Sequence, residues 1–493
     1  MNVLAEREFG HRGDLEADVC WQAAYSRDAR FDGRFFAGAT TTRVYCRSIC
    51  PVPFARPDNI VWFASAAAAE SAGFHPCRRC RSSASPGTPA WAGTSAVVSR
   101  AMRLIAEGAL DSGSVEDLAG RVGLGARHLR RLFVEHLGAS PVRIATTRRV
   151  HFARNLVEET DLPITQLAAC AGFQSIRQFN HAMLAATGES PTRLRRMRSV
   201  SQAPTSRPGL LVRLAYRPPF YWSGLLGFLT GRAIAGVESV QSNAYRRTIE
   251  IGGEIGGEIG GEIGGVAGAI EVRDDAAERQ LLVSIELPGY ESLIHVVERV
   301  RRIFDLAADP FQIASQLSCD QTLKPLLAAT PGVRVPGIWD GFEAAVRAIL
   351  GERLAKQTPS AALNRLARTF GRPVKTSIPG LTHLFPGPQD LVEADLAAAR
   401  IGDKPAAVIR ALAHAVVKGD LTFEASMNLQ DAIARVRSVP GISPAMAEYI
   451  AMRAFGEPDA FPASKARFRR SAANWRPWRA YAAMYLCGAD QRG

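Results

Sequence analysis

The spacing of apolar residues changes along the chain and predicts regions of different structure. In residues 96–197 apolar side chains recur at the helical period of about 3.6 positions, so this region is predicted to be almost entirely helical. Residues 210–288 instead combine short strand-like runs, LLVRLAY and LLVSIEL, with one apolar helix near residues 225–235. Helical periodicity returns after residues 331–337. The chain is therefore predicted to be multidomain, with helical and mixed α+β parts.

Residues that cap helices or break regular structure support this division. Two Ser/Pro/Gly-rich stretches, at 82–93 and 199–209, are predicted to be linkers. Ser114, Asp161 and Ser190 stand where helix N-caps belong. Between residues 250 and 265 the unit EIGG occurs four times. Since a period of four fits neither strand nor helix and paired glycines disfavour both, the repeat is predicted to be a flexible hairpin loop without chemistry.

Composition and charge narrow the class of protein. A chain of 493 residues, 47% of them hydrophobic, suggests three or four globular domains, and no stretch has the length of a membrane span. The start of the chain lacks the apolar core of a signal peptide, so a cytoplasmic location is expected. The net charge is +13, and eight arginines but one acidic residue, Glu135, lie between Arg121 and Arg154. This local patch favours a nucleic acid partner over a uniformly basic surface.

Four of the eight cysteines form two close pairs, Cys46-x₃-Cys50 and Cys77-x₂-Cys80. Two such pairs separated by a loop are typical of a single tetrahedral Zn²⁺ site with four thiolate ligands. A reducing compartment also disfavours a disulfide framework. The spacing alone favours a structural site, as most four-cysteine zinc sites are.

The residues around these cysteines change that interpretation. The stretches DARFDGRFF, TTRVYCRSICP and AGFHPCRRC resemble the N-terminal domain of Ada proteins over residues 14–85. The resemblance implies that Cys46 is both a zinc ligand and the acceptor of a methyl group from a DNA methylphosphotriester. A thiolate kept deprotonated by zinc is a suitable nucleophile for a methyl carbon. Arg43 and Arg47 are candidate phosphate contacts, with Arg56, Arg78 and Arg79.

The helical middle contains two predicted helix-turn-helix units. Gly123-Leu124 and Gly172-Phe173 supply tight turns before the helices ARHLRRLFVEH and SIRQFNHAMLA. The double unit is similar to AraC-type DNA-binding domains over residues 95–198. The apolar residues Leu129, Leu132, Phe133 and Phe179 are predicted to be core, and Cys170 a small buried residue. The residues predicted to face DNA are Arg127, Arg130, Arg131, Arg177, Gln178 and Asn180.

The C-terminal half carries a third resemblance. The stretches YRPPFYW, VPGIWDGFEAAVRAILG, YIAMRAFG, PDAFP and WRPWRAYAA are similar to AlkA glycosylases. This implies an α+β AlkA N-terminal subdomain over residues 206–325 and an all-α helix-hairpin-helix domain over 330–490. The family flips an alkylated base out of duplex DNA and cleaves its glycosidic bond.

The departures from this family fall on its functional residues. The family's Gly-x-Gly hairpin is Gly441-Ile442-Ser443 here, and serine fits a positive-φ position poorly although it can still bind phosphate. Lys465 stands where the family has its catalytic aspartate, and an ammonium would repel the cationic sugar of the transition state. Glycosylases with lyase activity use a lysine on the hairpin's second helix, where this chain has Ala445. Residues 352–356 also replace the family's Gln-rich wedge. Impaired base excision is therefore predicted.

Together these features predict a DNA alkylation-damage response protein. It would bind one Zn²⁺, accept a methyl group on Cys46, and bind double-stranded DNA to regulate transcription. It is expected to be a monomer without membrane contact, with RNA polymerase as a further partner. Two alternatives stay open: an active bifunctional enzyme that excises alkylated bases, and a zinc-stabilised transcription factor without chemistry. The Pro-Cys-His-Arg signature of the Ada family's O⁶-methylguanine acceptor is absent, so that activity is not predicted.

Overall fold

A computed structural model describes residues 15–86, 96–197, 209–252, 265–353, 359–423, 429–462 and 471–490. Within these ranges the chain is a multidomain mixture of helices and two β-sheets, as the hydrophobic pattern predicts. Of the helices in these ranges, none combines the length and apolar character needed to cross a membrane. The position of Lys465 and most of the EIGG repeat lie outside the described residues.

The N-terminal unit is a small α/β domain built on a four-stranded sheet in the order β3-β1-β2-β4. The first three of these strands pair antiparallel, whereas β4 pairs with β2 in parallel. Aromatic side chains fill both faces, with Phe35, Phe36 and Tyr45 at most 1% exposed. Its elements are α1 (Ala17–Tyr25), β1 (Phe36–Ala39), β2 (Val44–Cys46), β3 (Ile60–Phe63), α2 (Ala66–Ser71) and β4 (His75–Pro76).

The middle unit is entirely helical and contains both predicted helix-turn-helix motifs. Ser114 and Ser190 cap helices as predicted, but Asp161 does not, since the next helix begins at Ile164 after Pro163. The two tight turns need positive φ at Gly123 and Gly172, which have φ of 75° and 77°. The helices are α3 (Ala96–Ala106), α4 (Val115–Arg121), α5 (Ala126–Leu137), α6 (Pro141–Glu159), α7 (Ile164–Cys170), α8 (Ile176–Thr187) and α9 (Pro191–Arg196).

The third unit is a five-stranded antiparallel sheet in the order β5-β9-β8-β7-β6. Both predicted strands are present, and the predicted apolar helix begins three residues earlier, at Trp222. The EIGG repeat connects β7 to β8, which are antiparallel neighbours, as a hairpin connection requires. The elements are β5 (Leu210–Ala215), α10 (Trp222–Thr230), β6 (Glu238–Gln241), β7 (Ala244–Ile251), β8 (Val266–Asp275) and β9 (Gln280–Glu286).

The remaining chain is helical and surrounds one large apolar core. A hairpin joins α18 to α19, and α19 packs against α14. The described helices are α11 (Leu293–Ile303), α12 (Pro310–Leu317), α13 (Lys324–Ala329), α14 (Gly341–Arg353), α15 (Pro359–Phe370), α16 (Pro388–Leu391), α17 (Asp403–Val417), α18 (Leu429–Arg437), α19 (Pro444–Arg453) and α20 (Arg479–Asp490).

The units pack against each other through apolar and polar contacts. Side chains of α6 to α8 share a continuous core with the five-stranded sheet. Arg103 on α3 donates hydrogen bonds to the carbonyl of Gly456, at 3.2 Å, and to the carboxylate of Glu457, at 2.6 Å. The helical middle therefore contacts the chain just beyond α19.

Candidate metal centre and nucleic-acid interface

The four cysteines of the two predicted pairs meet at one edge of the N-terminal sheet. Cys46 ends β2, Cys50 lies in the turn that follows, and Cys77 and Cys80 follow β4. Parallel pairing of Val44 with His75 aligns the two strands. The backbone N–H of Cys77 also donates to the Tyr45 carbonyl at 3.0 Å. The sheet therefore brings the two cysteine pairs together.

The four Sγ atoms all lie within 4.8 Å of one another, close enough to coordinate a single ion. Four thiolates this close therefore require a cation to neutralise their repulsion. The donor set and its clustering fit one Zn²⁺.

The four sulfurs differ in their access to solvent. Cys50 is 1% exposed and Cys77 and Cys80 are 7% exposed, whereas Cys46 is only half-buried. The Cys80 sulfur also accepts a hydrogen bond from the Arg47 backbone N–H at 3.5 Å and lies 3.3 Å from the Ser82 hydroxyl. Such hydrogen bonds reduce the nucleophilicity of a thiolate. Cys46 is thus the sulfur best placed to react with a molecule outside the domain.

The two candidate phosphate contacts beside the cluster differ in their positions. Arg43 is exposed, and its guanidinium lies over the Phe74 ring at 5.2 Å. Arg47 is buried at 8% exposure, which differs from the expected surface contact. Its Nε donates to the Asp32 carboxylate at 2.8 Å and its Nη1 to the Cys80 carbonyl at 3.2 Å. In this conformation Arg47 stabilises the metal loop, the chain around Cys46 and Cys80, and its guanidinium is not available to a phosphate.

A buried polar network behind the cluster was not predicted from the sequence. The Tyr45 hydroxyl donates to the Glu70 carboxylate at 3.0 Å, and His151 on α6 lies 2.7 Å from the same oxygen. Thr147 donates to the other Glu70 oxygen at 2.6 Å. Burial raises the pKa of Glu70, but the His151 charge and hydrogen bond outweigh it, so the pKa lies below its ordinary value. This network joins the residue next to Cys46 to the helical middle.

The two recognition helices present the predicted polar residues to solvent. Arg127, Arg130 and Arg131 on α5 are exposed, as are Arg177, Gln178 and Asn180 on α8. The opposite faces hold Leu129, Phe133 and Phe179, each 0% exposed, while Leu132 is only partly buried. Arg130 also forms an exposed ion pair with Glu116 at 2.8 Å. Cys170 is 1% exposed, as a small core residue should be.

The hairpin between α18 and α19 differs from the sequence-based expectation in one respect. Gly441 has a φ of 88°, but Ser443 has a φ of −76° and is the N-cap of α19. The predicted misfit of serine at a positive-φ position is therefore wrong. The Ser443 hydroxyl instead accepts from Met446 N–H at 3.1 Å and donates to the Glu352 carboxylate at 2.6 Å. A negative charge thus lies beside the hairpin.

Carboxylates near the predicted catalytic position have other partners. Asp459 accepts from Arg479 at 2.7 and 3.0 Å and also lies 3.7 Å from Arg476. Glu448 on α19 accepts from the Phe461 backbone N–H at 2.9 Å, and burial raises its pKa. Both carboxylates therefore hold the loop that leads from α19 towards residue 462.

The chain is similar to known protein families and to one protein over nearly its whole length. Three family models match: the metal binding domain of Ada over residues 19–83, a helix-turn-helix domain over 118–197, and the AlkA N-terminal domain over 211–340. The chain is 39% identical, over 95% of both chains, to the probable bifunctional transcriptional activator/DNA repair enzyme AlkA of Mycobacterium tuberculosis.

Two Escherichia coli proteins each resemble part of the chain. DNA-3-methyladenine glycosylase 2 is 31% identical over 55% of this chain and 95% of that protein. The bifunctional transcriptional activator/DNA repair enzyme Ada is 32% identical over 26% of this chain and 34% of that protein. Each of these two proteins therefore matches only part of the chain.

Proposed function

This chain belongs to the family of bifunctional transcriptional activators and DNA repair enzymes that join an Ada-type half to an AlkA-type half, and from that premise we propose how its parts act. Cys46 accepts a methyl group from a DNA methylphosphotriester, and the helical middle binds double-stranded DNA to regulate transcription. The functional units are residues 14–85, 95–198, 206–325 and 330–490. We place the protein in the cytoplasm as a monomer, with RNA polymerase as its further partner.

The observation that carries the proposal is that Cys46 is the one half-buried sulfur of a four-cysteine cluster whose other three members are buried. Zinc, held by Cys46, Cys50, Cys77 and Cys80, would keep the sulfurs deprotonated near neutral pH. The Cys46 sulfur attacks the methyl carbon, the S–C bond forms, and the C–O bond breaks. The electron pair leaves with the phosphate oxygen as a phosphodiester anion. The direct test is to locate one methyl group on Cys46 after incubation with methylphosphotriester DNA.

Methylation also changes the charge of the site. A thiolate becomes a neutral thioether, which removes one negative charge from the surface that approaches the DNA backbone. Lower repulsion strengthens DNA binding after transfer. Because the thioether does not turn over, Cys46 acts once and records the damage permanently.

The exposed residues of α5 and α8 supply the proposed DNA contact. Replacing Arg127 by alanine is expected to weaken promoter binding by about 1–3 kcal/mol if it reads a base, or to reduce the salt slope by about one if it contacts a phosphate. Fluorescence anisotropy titrations at several salt concentrations measure both effects. Lys375→Ala, at an exposed site on the other half, is the control and should leave binding unchanged. Unchanged binding by Arg127→Ala would remove that residue from the interface.

We propose that base excision by the C-terminal half is impaired. Lys465 replaces the family's catalytic aspartate, and the carboxylate of Asp459 is already engaged by Arg479. Glu352 adds a negative charge at the hairpin where the family holds a DNA phosphate, with Gly441 and Ser443 as the remaining contacts. Repulsion of DNA at the hairpin and of the cationic sugar at Lys465 both oppose the reaction.

Neutralising Glu352 tests the first of these two effects. Glu352→Gln is expected to tighten binding to undamaged duplex by about two- to fivefold at low salt, with the gain disappearing as salt rises. Filter binding or anisotropy on a duplex without promoter sequence measures it. Glu393→Gln removes an exposed carboxylate elsewhere on the same half and is the matched control. Equal affinities for Glu352→Gln and the native chain would show that this carboxylate does not oppose DNA.

A further inference from the structure

A segment of the metal-binding domain that follows α1 lies against the C-terminal half of the chain. Arg34 and Asp309 form an ion pair of 3.0 Å, with side chains 7% and 1% exposed. The Phe31 ring packs on Phe311 with centroids 6.0 Å apart. These residues are far apart in sequence, so the contact joins two separate folding units. A buried charge pair and an aromatic pair are typical of a specific interface.

Arg217, just after the end of β5, extends this interface into the interior. Its side chain is 0% exposed, and burial lowers its pKa to about 10. Its Nε donates to the Asp32 carbonyl at 2.9 Å, while its Nη1 donates to the Ala307 carbonyl at 3.3 Å. A wholly buried guanidinium is stable only when its donors are occupied, so Asp32 belongs to the environment that Arg217 requires.

Asp32 connects this interface to the metal loop. Its carbonyl accepts from Arg217, and its carboxylate accepts from Arg47 Nε at 2.8 Å. Arg47 directly follows Cys46, and it also donates to the carbonyl of Cys80 at 3.2 Å. The hydrogen bonds therefore run without interruption from the C-terminal half, through Asp32 and Arg47, to the chain segments that hold two of the four sulfurs.

We infer that the glycosylase-like half has a second role: it is the docking platform of the methyl-acceptor domain, and Arg217 is a positioning residue for the metal loop. The role needs no base-excision chemistry, so it persists when the catalytic residues change. Replacing Arg217 removes the donor to the Asp32 carbonyl, whereas neutralising Asp309 weakens the ion pair with Arg34 but leaves the link to Asp32 in place. Loss of the platform should therefore loosen the metal loop while leaving both halves folded.

The test measures zinc release from the full chain to a chromogenic chelator. Asp309→Asn keeps the hydrogen-bond acceptor that caps α12 but removes the charge opposite Arg34. Arg217→Met removes the link to Asp32. We expect zinc release to become faster by about tenfold or more for Arg217→Met and by less for Asp309→Asn. Asp395→Asn, at another capping aspartate of the same half, is the matched control and should release zinc at the native rate.

Two further measurements separate positioning from general loss of structure. Cobalt substituted for zinc should show altered thiolate charge-transfer and ligand-field bands in Arg217→Met, because the loop that carries Cys46 changes geometry. Thermal unfolding followed by near-UV circular dichroism reports whether the C-terminal half stays folded. If Arg217→Met unfolds the C-terminal half, the zinc release and cobalt spectra of Asp309→Asn become the test of the interface. Native zinc release and native cobalt spectra in a folded interface variant would overturn the inference.

The outcome is independent of methyl transfer. Failure of the native chain to take up a methyl group would refute the proposed function of Cys46 but would leave zinc release and cobalt spectra interpretable. Conversely, unaltered zinc release in both interface variants would refute the platform and leave methyl uptake untouched.

Discussion

Cys46→Ala is expected to abolish methyl uptake from DNA that carries methylphosphotriesters. The sulfur of residue 46 is the proposed nucleophile, and the other three cysteines of the cluster are at most 7% exposed, so they are poorly placed to replace it. Peptide mass analysis after incubation should find one methyl group on the native peptide that contains Cys46 and none on any peptide of the variant. Promoter binding after exposure to damaged DNA should lose its increase in the same variant.

Two matched variants show whether the loss of methyl uptake is specific to Cys46. Cys319→Ala removes an exposed thiol outside the cluster and should take up methyl at the native rate, since exposure without a metal site does not activate a thiol. Cys50→Ser keeps the Cys46 sulfur but removes a ligand, so both zinc content and methyl uptake should fall. A methyl group on Cys319, or uptake by Cys46→Ala, would contradict the assignment. No uptake by the native chain would leave a zinc-stabilised transcription factor.

The metal cluster could be predicted because its information is local. Each cysteine pair spans a few residues, and the flanking motifs identify the domain type. The position of Arg47 could not be predicted in the same way. Its partner Asp32 lies 15 residues earlier and becomes a neighbour only when the domain folds. Local motifs therefore identify the four sulfurs, but they predict a surface phosphate contact for Arg47, which is in fact buried.

The fold shows the same distinction between local and distant information. The recognition helices follow from the helical period of their apolar residues, and their exposed and buried faces agree with that pattern. Asp161 does not cap α7, because α7 begins at Ile164 and the N-cap position is occupied by Pro163. The network of Tyr45, Glu70 and His151 joins residues up to 106 positions apart, and no local pattern indicates it.

The native chain is expected to release little alkylated base from methylated DNA. A carboxylate that stabilises a cationic transition state is worth on the order of 10²–10³ in rate, by analogy with other preorganised charges, and Lys465 has the opposite sign. Lys465→Asp alone is not expected to restore activity, because Glu352 still places a negative charge beside the hairpin. Alkali-labile abasic sites in a methylated duplex are the measurement.

The Escherichia coli relative DNA-3-methyladenine glycosylase 2, assayed on the same duplex, calibrates the signal. Release of alkylated base by the native chain at a comparable rate would contradict the prediction that base excision is impaired. Lys465→Ala then identifies the chemistry, since a lysine nucleophile would give a Schiff base that borohydride traps in the native chain only. Release that survives Lys465→Ala would instead require a carboxylate. Asp459 would have to leave its ion pairs with Arg479 and Arg476 to serve, and Asp459→Asn would then abolish release.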